Sequence, residues 1–228
     1  MWRWTGFTCL QGVVWAVLTC ASPVFAMDAQ EALGLLRAGR ALIASGQPQQ
    51  AIVYFDRVIP ASEAEFQRFS GTVYCSHSVS ETLLNSLTGL SEGKDSVVLD
   101  GVWCDAFFLK GFALIDLRDY PGAERNIRMA IRHSPANSQY WSELGHIQQS
   151  QRQWAAAIAT FRKTEGLAAA STGQAEMKTR ACRGIGYSLV ELKKLDEAEA
   201  NYKRCLLEAP SDEKSQHELL YIRQLRGQ

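Results

Sequence analysis

Four glycines in this chain are followed by the same residue types at the same distances. The clearest case is Gly111, which is followed in turn by Ala123, the large apolar Ile127 and the small Ala130. The same steps from Gly39, Gly145 and Gly186 lead to alanine, then to Phe or Tyr, then to a small or compact residue. A glycine inside an apolar helix costs roughly 1 kcal/mol relative to alanine. We therefore expect close packing to favour these glycines.

The interval between the glycines predicts a repeat architecture. The step from Gly111 to Gly145 matches a period of about 34 residues, which is typical of arrays of helical hairpins. The glycine on the first helix and the alanine on the second would let two backbones approach closely, and the large residue would fill the space beside them. Pro135 and Pro210 stand where the second helix of a hairpin should end.

The same residues resemble the tetratricopeptide-repeat family. Trp141, Leu144 and Gly145 match the opening of the family's repeat, and Phe107 and Cys182 hold the tryptophan position in two other units. The resemblance implies an all-α fold, a right-handed α-solenoid of tetratricopeptide-type helical hairpins. The apolar stripe in the final segment predicts a C-terminal capping helix, which would cover the exposed face of the last repeat.

We expect a single repeat domain over residues 27–228, preceded by a signal peptide over residues 1–26. The four regular hairpins are placed at about 31–61, 103–135, 137–168 and 176–210, and the capping helix at 212–226. Together the units that match the repeat cover somewhat over half of the chain.

The stretch between the first two regular units departs from the repeat. The steps from Gly71 lead to leucines instead of small residues. We interpret this stretch as a degenerate hairpin over 62–92, with helices near 62–76 and 80–91. The residues that follow, 93–101, are expected to form a long loop.

The segment before the repeat domain predicts an exported protein. One cation, Arg3, precedes an apolar run, and Pro23 ends that run shortly before Ala26. This order is typical of a secretory signal peptide, here cleaved after Ala26. An uncleaved membrane anchor and lipid attachment at Cys20 are the alternatives, although Thr19 is unusual before a lipidated cysteine. We expect a periplasmic or secreted protein of bacterial origin.

Cleavage would leave four cysteines in a compartment that permits disulfides. Cys182 lies early in the first helix of one hairpin and Cys205 late in the second, so the two face each other across an antiparallel pair. We predict a disulfide between them, with two buried thiols as the alternative. Cys75 and Cys104 belong to successive units and would lie at different heights, which disfavours a bond between them.

The sequence gives no sign of catalytic or metal chemistry. It contains no G-x-S-x-G, H-E-x-x-H or Walker A motif, and its four histidines are scattered over different units. Cys75-Ser76-His77 is the nearest approach to a nucleophile and base, but such close neighbours on a helix point in different directions. The balance of 24 basic and 24 acidic residues disfavours nucleic acid as the main partner. We therefore predict a non-enzymatic protein without a metal or a cofactor.

The resemblance also implies a concave groove, lined by the first helix of each hairpin, that takes a peptide from a partner. The residues placed on this groove are Asp105, Phe108, Phe112, Ile115, His146, Gln149, Arg180, Arg183 and Tyr187. The floor would be aromatic at one end and cationic at the other, which suits an apolar anchor with an acidic group. Alternatively, Phe108 and Phe112 pack on the degenerate hairpin, which would close the groove.

These features predict a protein- or peptide-binding scaffold in the bacterial cell envelope. The alternative is an assembly chaperone or accessory subunit of a secretion, pilus or outer-membrane machine, which would hold one client. After signal cleavage no segment is long and apolar enough to predict a membrane span. The patterns specify neither the partner nor the oligomeric state.

Overall fold

The computed structural model describes residues 27–227, so the signal peptide predicted for residues 1–26 lies outside the described residues. The helices, in chain order, are α1 (Ala29–Ala44), α2 (Pro48–Gln67), α3 (Val79–Ser91), α4 (Val102–Asp116), α5 (Tyr120–His133), α6 (Ser138–Ser150), α7 (Trp154–Ala169), α8 (Ala175–Glu191), α9 (Leu195–Glu208) and α10 (Glu213–Leu225). Two short strands, β1 (Thr72–Ser76) and β2 (Ser96–Asp100), flank α3.

Eight of these helices pair into four successive hairpins: α1 with α2, α4 with α5, α6 with α7, and α8 with α9. Each hairpin packs on the next, and α10 packs on α9 and buries Ile222. The fold class predicted from the sequence, an all-α solenoid of helical hairpins, is confirmed. None of the helices within residues 27–227 combines the length and apolarity that crossing a bilayer requires.

Packing between helices explains why the repeat glycines recur. Each glycine faces the large residue on the second helix of its own hairpin, and a Cβ added to it would come within 2.8 Å of that side chain. The pairs are Gly39 with Phe55, Gly111 with Ile127, Gly145 with Phe161, and Gly186 with Tyr202. All four large residues are fully buried or nearly so. Their burial outweighs the helix penalty of the glycine, as the spacing predicts.

The turn inside each hairpin is repeated as well. Shortly after the packing glycine, at the same step in every hairpin, the chain adopts a left-handed backbone conformation, with φ between 59° and 74°. The residues are Gly46, Arg118, Arg152 and Lys193. Only the first of them is a glycine, so in three hairpins the packing of the two helices holds an arginine or lysine in a conformation that L-residues rarely adopt.

The degenerate hairpin predicted over 62–92 is wrong in its first half. Helix α2 runs on to Gln67, and the chain then forms β1 where the second part of a helix near 62–76 was expected. Helix α3 takes the place of the helix expected near 80–91, and the predicted loop over 93–101 contains β2. The two strands pair in parallel, and α3 connects them. We call residues 68–101 the insert.

Local contacts explain the departure. A Cβ on Gly71 would overlap the carbonyl oxygen of Asp95, so this glycine admits a neighbouring strand end instead of a helix. The runs T-V-Y-C-S and S-V-V-L-D are rich in β-branched residues, which favour strands. Because α2 packs directly on α4, the insert is added to a continuous stack of hairpins and does not form a member of it.

Two disulfides lie within residues 27–227. The predicted bond between Cys182 and Cys205 joins α8 to α9, with Cα atoms 5.8 Å apart. Cys75 and Cys104 are also bonded, with Cα atoms 6.1 Å apart, so the expectation that they stay apart is wrong. It assumed that Cys75 lies on a helix, whereas β1 carries it to the start of α4.

Candidate functional site

A groove runs along the face formed by α4, α6 and α8. A cavity of about 580 Å³ at one end is lined by α1, the insert, α4 and α6, and we call it the insert cavity; its residues include Arg40, His77, Asp105, Phe108, Phe112 and Tyr140. A cavity of about 680 Å³ at the other end lies between α6, α8 and α10, and we call it the cap cavity; its residues include His146, Gln149, Arg180, Arg183, Tyr187 and Glu218.

A third, smaller cavity lies between these two. It shares Gln139, Gln174 and Met177 with the insert cavity, and Glu176 and Arg180 with the cap cavity. The three cavities therefore adjoin one another along the groove.

Eight of the nine residues assigned to the groove from the sequence line one of the two large cavities. Those in the insert cavity are Asp105, Phe108 and Phe112, and those in the cap cavity are His146, Gln149, Arg180, Arg183 and Tyr187. Ile115 lines neither cavity; it is half-buried and packs against the hydrophobic core. Whether these residues bind a ligand stays a prediction.

Asp105, in the first turn of α4, is the centre of a hydrogen-bonded cluster in the insert cavity. Its Oδ1 accepts from His77 Nε2 at 3.1 Å and from the Tyr140 hydroxyl at 3.0 Å. Its Oδ2 accepts from Arg40 Nη2 at 3.0 Å. The three donors belong to the insert, α6 and α1, so one carboxylate connects three parts of the fold. Burial raises the pKa of Tyr140 well above its ordinary value, so its hydroxyl stays a donor.

His77 carries a positive charge at neutral pH. Its Nδ1 is 3.3 Å from Glu81 Oε2 while its Nε2 faces Asp105, so both ring nitrogens donate to carboxylates. Burial opposes the charge, but the hydrogen bonds to Asp105 and Glu81 outweigh burial and raise the pKa of His77 to about 10. The side chain is therefore a fixed cation held between two anions.

Two local features hold His77 in this position. The Cys75–Cys104 disulfide joins the residue two before His77 to the residue just before Asp105. A Cβ on Gly101 would overlap His77 Nε2, so the imidazole rests directly on the glycine that precedes α4. The segment considered as a nucleophile and base, Cys75 to His77, is therefore half of a disulfide followed by a charged histidine, with no free thiol.

Aromatic side chains form another wall of the insert cavity. The ring of Phe108 stacks on that of Tyr140 with centroids 4.8 Å apart, and it lies 6.4 Å from the ring of Phe112. Phe108 is buried, whereas Phe112 is only half-buried. Phe108 thus packs on Tyr140 of α6, and Phe112 lines the cavity with more of its ring exposed.

The cationic floor expected at the other end of the groove is largely neutralised. Arg180 Nη2 donates to Glu143 Oε1 at 2.8 Å, and Arg183 Nη1 donates to Asp212 Oδ1 at 2.7 Å. Both carboxylates are more buried than the arginines that they meet. Burial raises the pKa of Glu143 although Arg180 opposes that shift. The cap cavity therefore offers much less net positive charge than the sequence suggests.

His146 in the cap cavity is neutral. Arg180 Nε donates to His146 Nε2 at 3.0 Å, so that ring nitrogen is the acceptor, and Nδ1 donates to Gln149 Oε1 at 3.2 Å. Burial and then the charge of Arg180 lower the pKa of His146 to about 4. Tyr187, which is 43% exposed and lies edge-on to Trp154 at 5.9 Å, is the accessible aromatic side chain at this end.

The sequence interpretation missed Arg40, His77, Glu81 and Tyr140 as lining residues. The repeat contained a signal for Arg40, because the residue directly after the packing glycine lines the groove in every hairpin. Those residues are Arg40, Phe112, His146 and Tyr187. His77 and Glu81 carry no such signal, since the insert brings them to the groove.

The fold and the groove define a class of proteins, the helical-hairpin repeat proteins. Family models described as tetratricopeptide repeat match residues 34–59 and 179–212. The second match covers most of α8, all of α9 and the disulfide between them. These two segments of the chain are therefore tetratricopeptide repeats.

Solved structures of tetratricopeptide-repeat proteins share the fold at low sequence identity. PilF of Pseudomonas aeruginosa is 13% identical over 87% of this chain and 70% of its own, with a TM-score of 0.60. MamA from Desulfovibrio magneticus RS-1 is 14% identical over 89% of this chain and 88% of its own, with a TM-score of 0.57. YrrB, described as a TPR protein with an unusual peptide-binding site, is 14% identical over 88% and 80%, with a TM-score of 0.53. No curated protein sequence matches this chain.

Proposed function

We propose that the protein is a non-enzymatic scaffold of the bacterial cell envelope that binds a peptide segment of a partner protein in its groove. The observation that carries this proposal is the row of adjoining cavities along the groove, in which cavities of about 580 and 680 Å³ each share lining residues with a third cavity. Each volume lies in the range of ligand pockets. An extended peptide segment would pass from the insert cavity to the cap cavity.

The lining indicates the chemistry of the ligand. Phe112 and Met177 offer apolar surface for an anchoring side chain, and the amides of Gln139 and Gln174 can pair with peptide N–H and C=O groups. Because Arg180 and Arg183 already pair with buried carboxylates, we favour an apolar anchor over an acidic group as the main determinant. The accessible ring of Tyr187 would provide a second apolar contact at the cap end.

Two findings support a binding role in an exported protein. Both disulfides would persist in an oxidising compartment such as the periplasm, and the segment over 1–26 has the pattern of a signal peptide. YrrB, which shares the fold, is described as having a peptide-binding site, and a comparable role for this chain is part of the proposal.

The second candidate is an assembly chaperone or accessory subunit that holds one specific client, as part of a secretion, pilus or outer-membrane machine. One observation favours it: the insert is fixed to the array by the Cys75–Cys104 disulfide and by the Asp105 cluster. A rigid wall at one end of the groove restricts the shapes that can enter and so favours a single client over many.

Photocrosslinking tests the groove directly. A photoreactive residue at Phe112 or Tyr187 should yield adducts in the envelope of the source cell, whereas the same residue at Arg125 or Lys163, exposed on α5 and α7, should yield few. Adducts from the α5 and α7 positions alone would contradict the proposal. One stoichiometric adduct would indicate the second candidate, and many adducts a general scaffold.

A binding measurement completes the experiment. A peptide spanning the crosslinked segment should bind the purified protein in calorimetry, and Phe112→Ala should weaken that binding roughly tenfold or more, as expected for an anchor contact. Arg125→Ala should leave the affinity unchanged. Equal effects of the two variants would show that the crosslink reported proximity and not binding.

A further inference from the structure

Three aromatic side chains from different helices lie at the rim of the cap cavity. The rings of Trp154, at the start of α7, and Tyr187, on α8, have centroids 5.9 Å apart and planes at 73° to each other. Tyr221 on α10 lies close enough to Tyr187 to influence its pKa. Tyr187 is 43% exposed and Tyr221 is 48% exposed, whereas Trp154 is half-buried. We call these three residues the aromatic rim.

Each member of the aromatic rim carries a hydrogen-bond donor that the described residues leave free. At the other end of the groove, the Tyr140 hydroxyl and Trp141 Nε1 both donate to oxygen atoms of the chain. Within residues 27–227 the indole N–H of Trp154 and the hydroxyls of Tyr187 and Tyr221 donate to no protein atom. The aromatic rim therefore offers three rings and three donors to a ligand.

The charges around the aromatic rim are mixed. Burial, and then the carboxylates of Glu191 and Glu218, raise the pKa of Tyr187, and the charge of Arg152 opposes that shift. Lys214 lines the cap cavity together with Glu218. Because both signs are present, the surroundings favour neither an acidic nor a basic segment. The raised pKa keeps the Tyr187 hydroxyl protonated, so it stays a donor.

We propose that the aromatic rim binds a proline-rich segment of the peptide ligand in the polyproline II conformation. The inference deepens the proposed function and rests on it, because it names the chemistry of the segment that occupies the cap end of the groove. It commits to proline because the aromatic rim combines apolar rings, free donors and no dominant charge.

A polyproline II segment fits each of these properties. Its backbone makes no internal hydrogen bonds, and proline has no N–H group, so the segment presents carbonyl acceptors and few donors. The free donors of Trp154, Tyr187 and Tyr221 would pair with those carbonyls. Proline side chains carry no charge and pack on aromatic rings, and the conformation is already formed before binding, which lowers the entropy cost.

An amphipathic helix fits the same rings less well. The carbonyl groups of a helix are already bonded within the helix, apart from those of its last turn. A helical ligand would therefore cover the donors of the aromatic rim without giving them acceptors, and a donor that loses water without gaining a partner costs free energy.

Selection from a display library of random peptides tests the composition of the ligand. Peptides selected on the purified protein should be enriched in proline relative to the library, and Tyr187→Ala should abolish that enrichment. Replacing the prolines of a selected peptide with alanine should weaken binding about tenfold or more. Selected peptides without enrichment in proline, or equal enrichment on Tyr187→Ala, would overturn the proposal.

Calorimetry with a selected proline-rich peptide separates the ring from the hydroxyl. Tyr187→Ala should weaken binding about tenfold or more, because it removes both the packing surface and the donor. Tyr187→Phe keeps the ring and the fold, and it should weaken binding about two- to tenfold, as the loss of one hydrogen bond does. Tyr54→Phe, on α2 and away from the three groove cavities, should leave the affinity unchanged. Full affinity in Tyr187→Phe and Tyr187→Ala would overturn the proposal.

Further results separate a failure of this inference from a failure of the proposed function. Groove adducts from Phe112 with a partner segment that contains no proline would overturn the inference and leave the peptide-binding groove in place. No selected peptide and no groove adduct would overturn both. Binding of a soluble N-acetylglucosamine oligosaccharide that Tyr187→Ala abolishes, without any selected peptide, would assign the aromatic rim to a saccharide and overturn the inference.

Discussion

Hairpin helices line both ends of the groove, yet the histidine at each end has a different charge. His77 is positively charged at neutral pH, whereas His146 is neutral. His77 in the insert cavity has a pKa raised to about 10, and His146 in the cap cavity has a pKa lowered to about 4. Burial disfavours the charged form at both sites. The neighbours decide the outcome, because two carboxylates face His77 whereas the guanidinium of Arg180 faces His146.

The two ends also differ in what holds them together. The cap end is built by the repeat, in which a glycine on one helix receives a large side chain from the next. The insert end depends on contacts that the repeat does not supply: the Asp105 cluster and a disulfide to β1. A change in repeat packing should therefore unfold the array, whereas a change in the insert should alter the site and leave the array folded.

The largest effect is expected from the repeat packing. Phe161 is fully buried and fills the space beside both Gly145 and Gly184. Phe161→Ala should lower the free energy of unfolding by about 3–5 kcal/mol, as truncation of a buried Phe does. Leu207→Ala, at a leucine that is 83% exposed, should change it by less than about 0.5 kcal/mol. Similar losses in urea denaturation would show that Phe161 does not form part of a close-packed core.

The two disulfides should contribute similarly to stability and differently to the site. They close chain segments of comparable length, with sequence separations of 29 and 23. Replacing either pair with alanine should cost about 3 kcal/mol by the chain-entropy model. Loss of Cys75–Cys104 should in addition lower the pKa of His77 toward its ordinary value, measured by NMR titration. Loss of Cys182–Cys205 should leave that pKa unchanged, and equal shifts would contradict the role given to the insert disulfide.

The cap end could be predicted from sequence because each repeat encodes it locally. The spacing from Gly145 and Gly186 fixes which residues face the groove, and all five residues assigned to the cap cavity line it. The ion pairs of Arg180 and Arg183 could not be predicted, because their partners Glu143 and Asp212 lie outside α8.

The insert end could not be predicted because its partners are far apart in sequence and belong to no repeat. Asp105 was placed on the groove, but its contacts with Arg40 and His77 span sequence separations of 65 and 28. The repeat spacing predicts that Gly71 is a packing glycine between two helices. The β-branched residues that follow it favour a strand instead, and a strand is what forms. The error about Cys75 followed from the same assumption.

A smaller effect is expected at Gly101, which supports the imidazole of His77. A Cβ there would overlap the ring, while the backbone, at φ −61°, accepts any residue. Gly101→Ala should displace the ring from Asp105, lower the pKa of His77 and cost about 1–3 kcal/mol, as overpacking does. Gly166→Ala is the control, because no atom lies within 4 Å of the added Cβ. It should leave the pKa of His77 unchanged and should not lower the free energy of unfolding. An unchanged pKa in Gly101→Ala would show that the ring is not held by this contact.

The smallest effects should appear in the dependence of stability on pH. Because the pKa of His77 is raised in the folded protein, its stabilisation is complete below pH 6.5 and is lost as the pH rises toward about 10. His146 has a lowered pKa, so its contribution is present above pH 6.5 and is lost as the pH falls toward about 4. Because solvent screens these charges, each histidine should contribute on the order of 1 kcal/mol to the free energy of unfolding.

Two glutamine variants separate these contributions. The difference in unfolding free energy between the wild type and His77→Gln should shrink as the pH rises from neutral to alkaline values, because the wild type loses its imidazolium contacts. The difference between the wild type and His146→Gln should shrink as the pH falls from neutral to acidic values, because protonation of the unfolded chain removes the advantage of the neutral ring. For both variants, the contrary result is a difference in unfolding free energy from the wild type that varies with pH only below neutral pH. That result would show that His77 is neutral in the folded protein and that the two ends of the groove do not differ in charge.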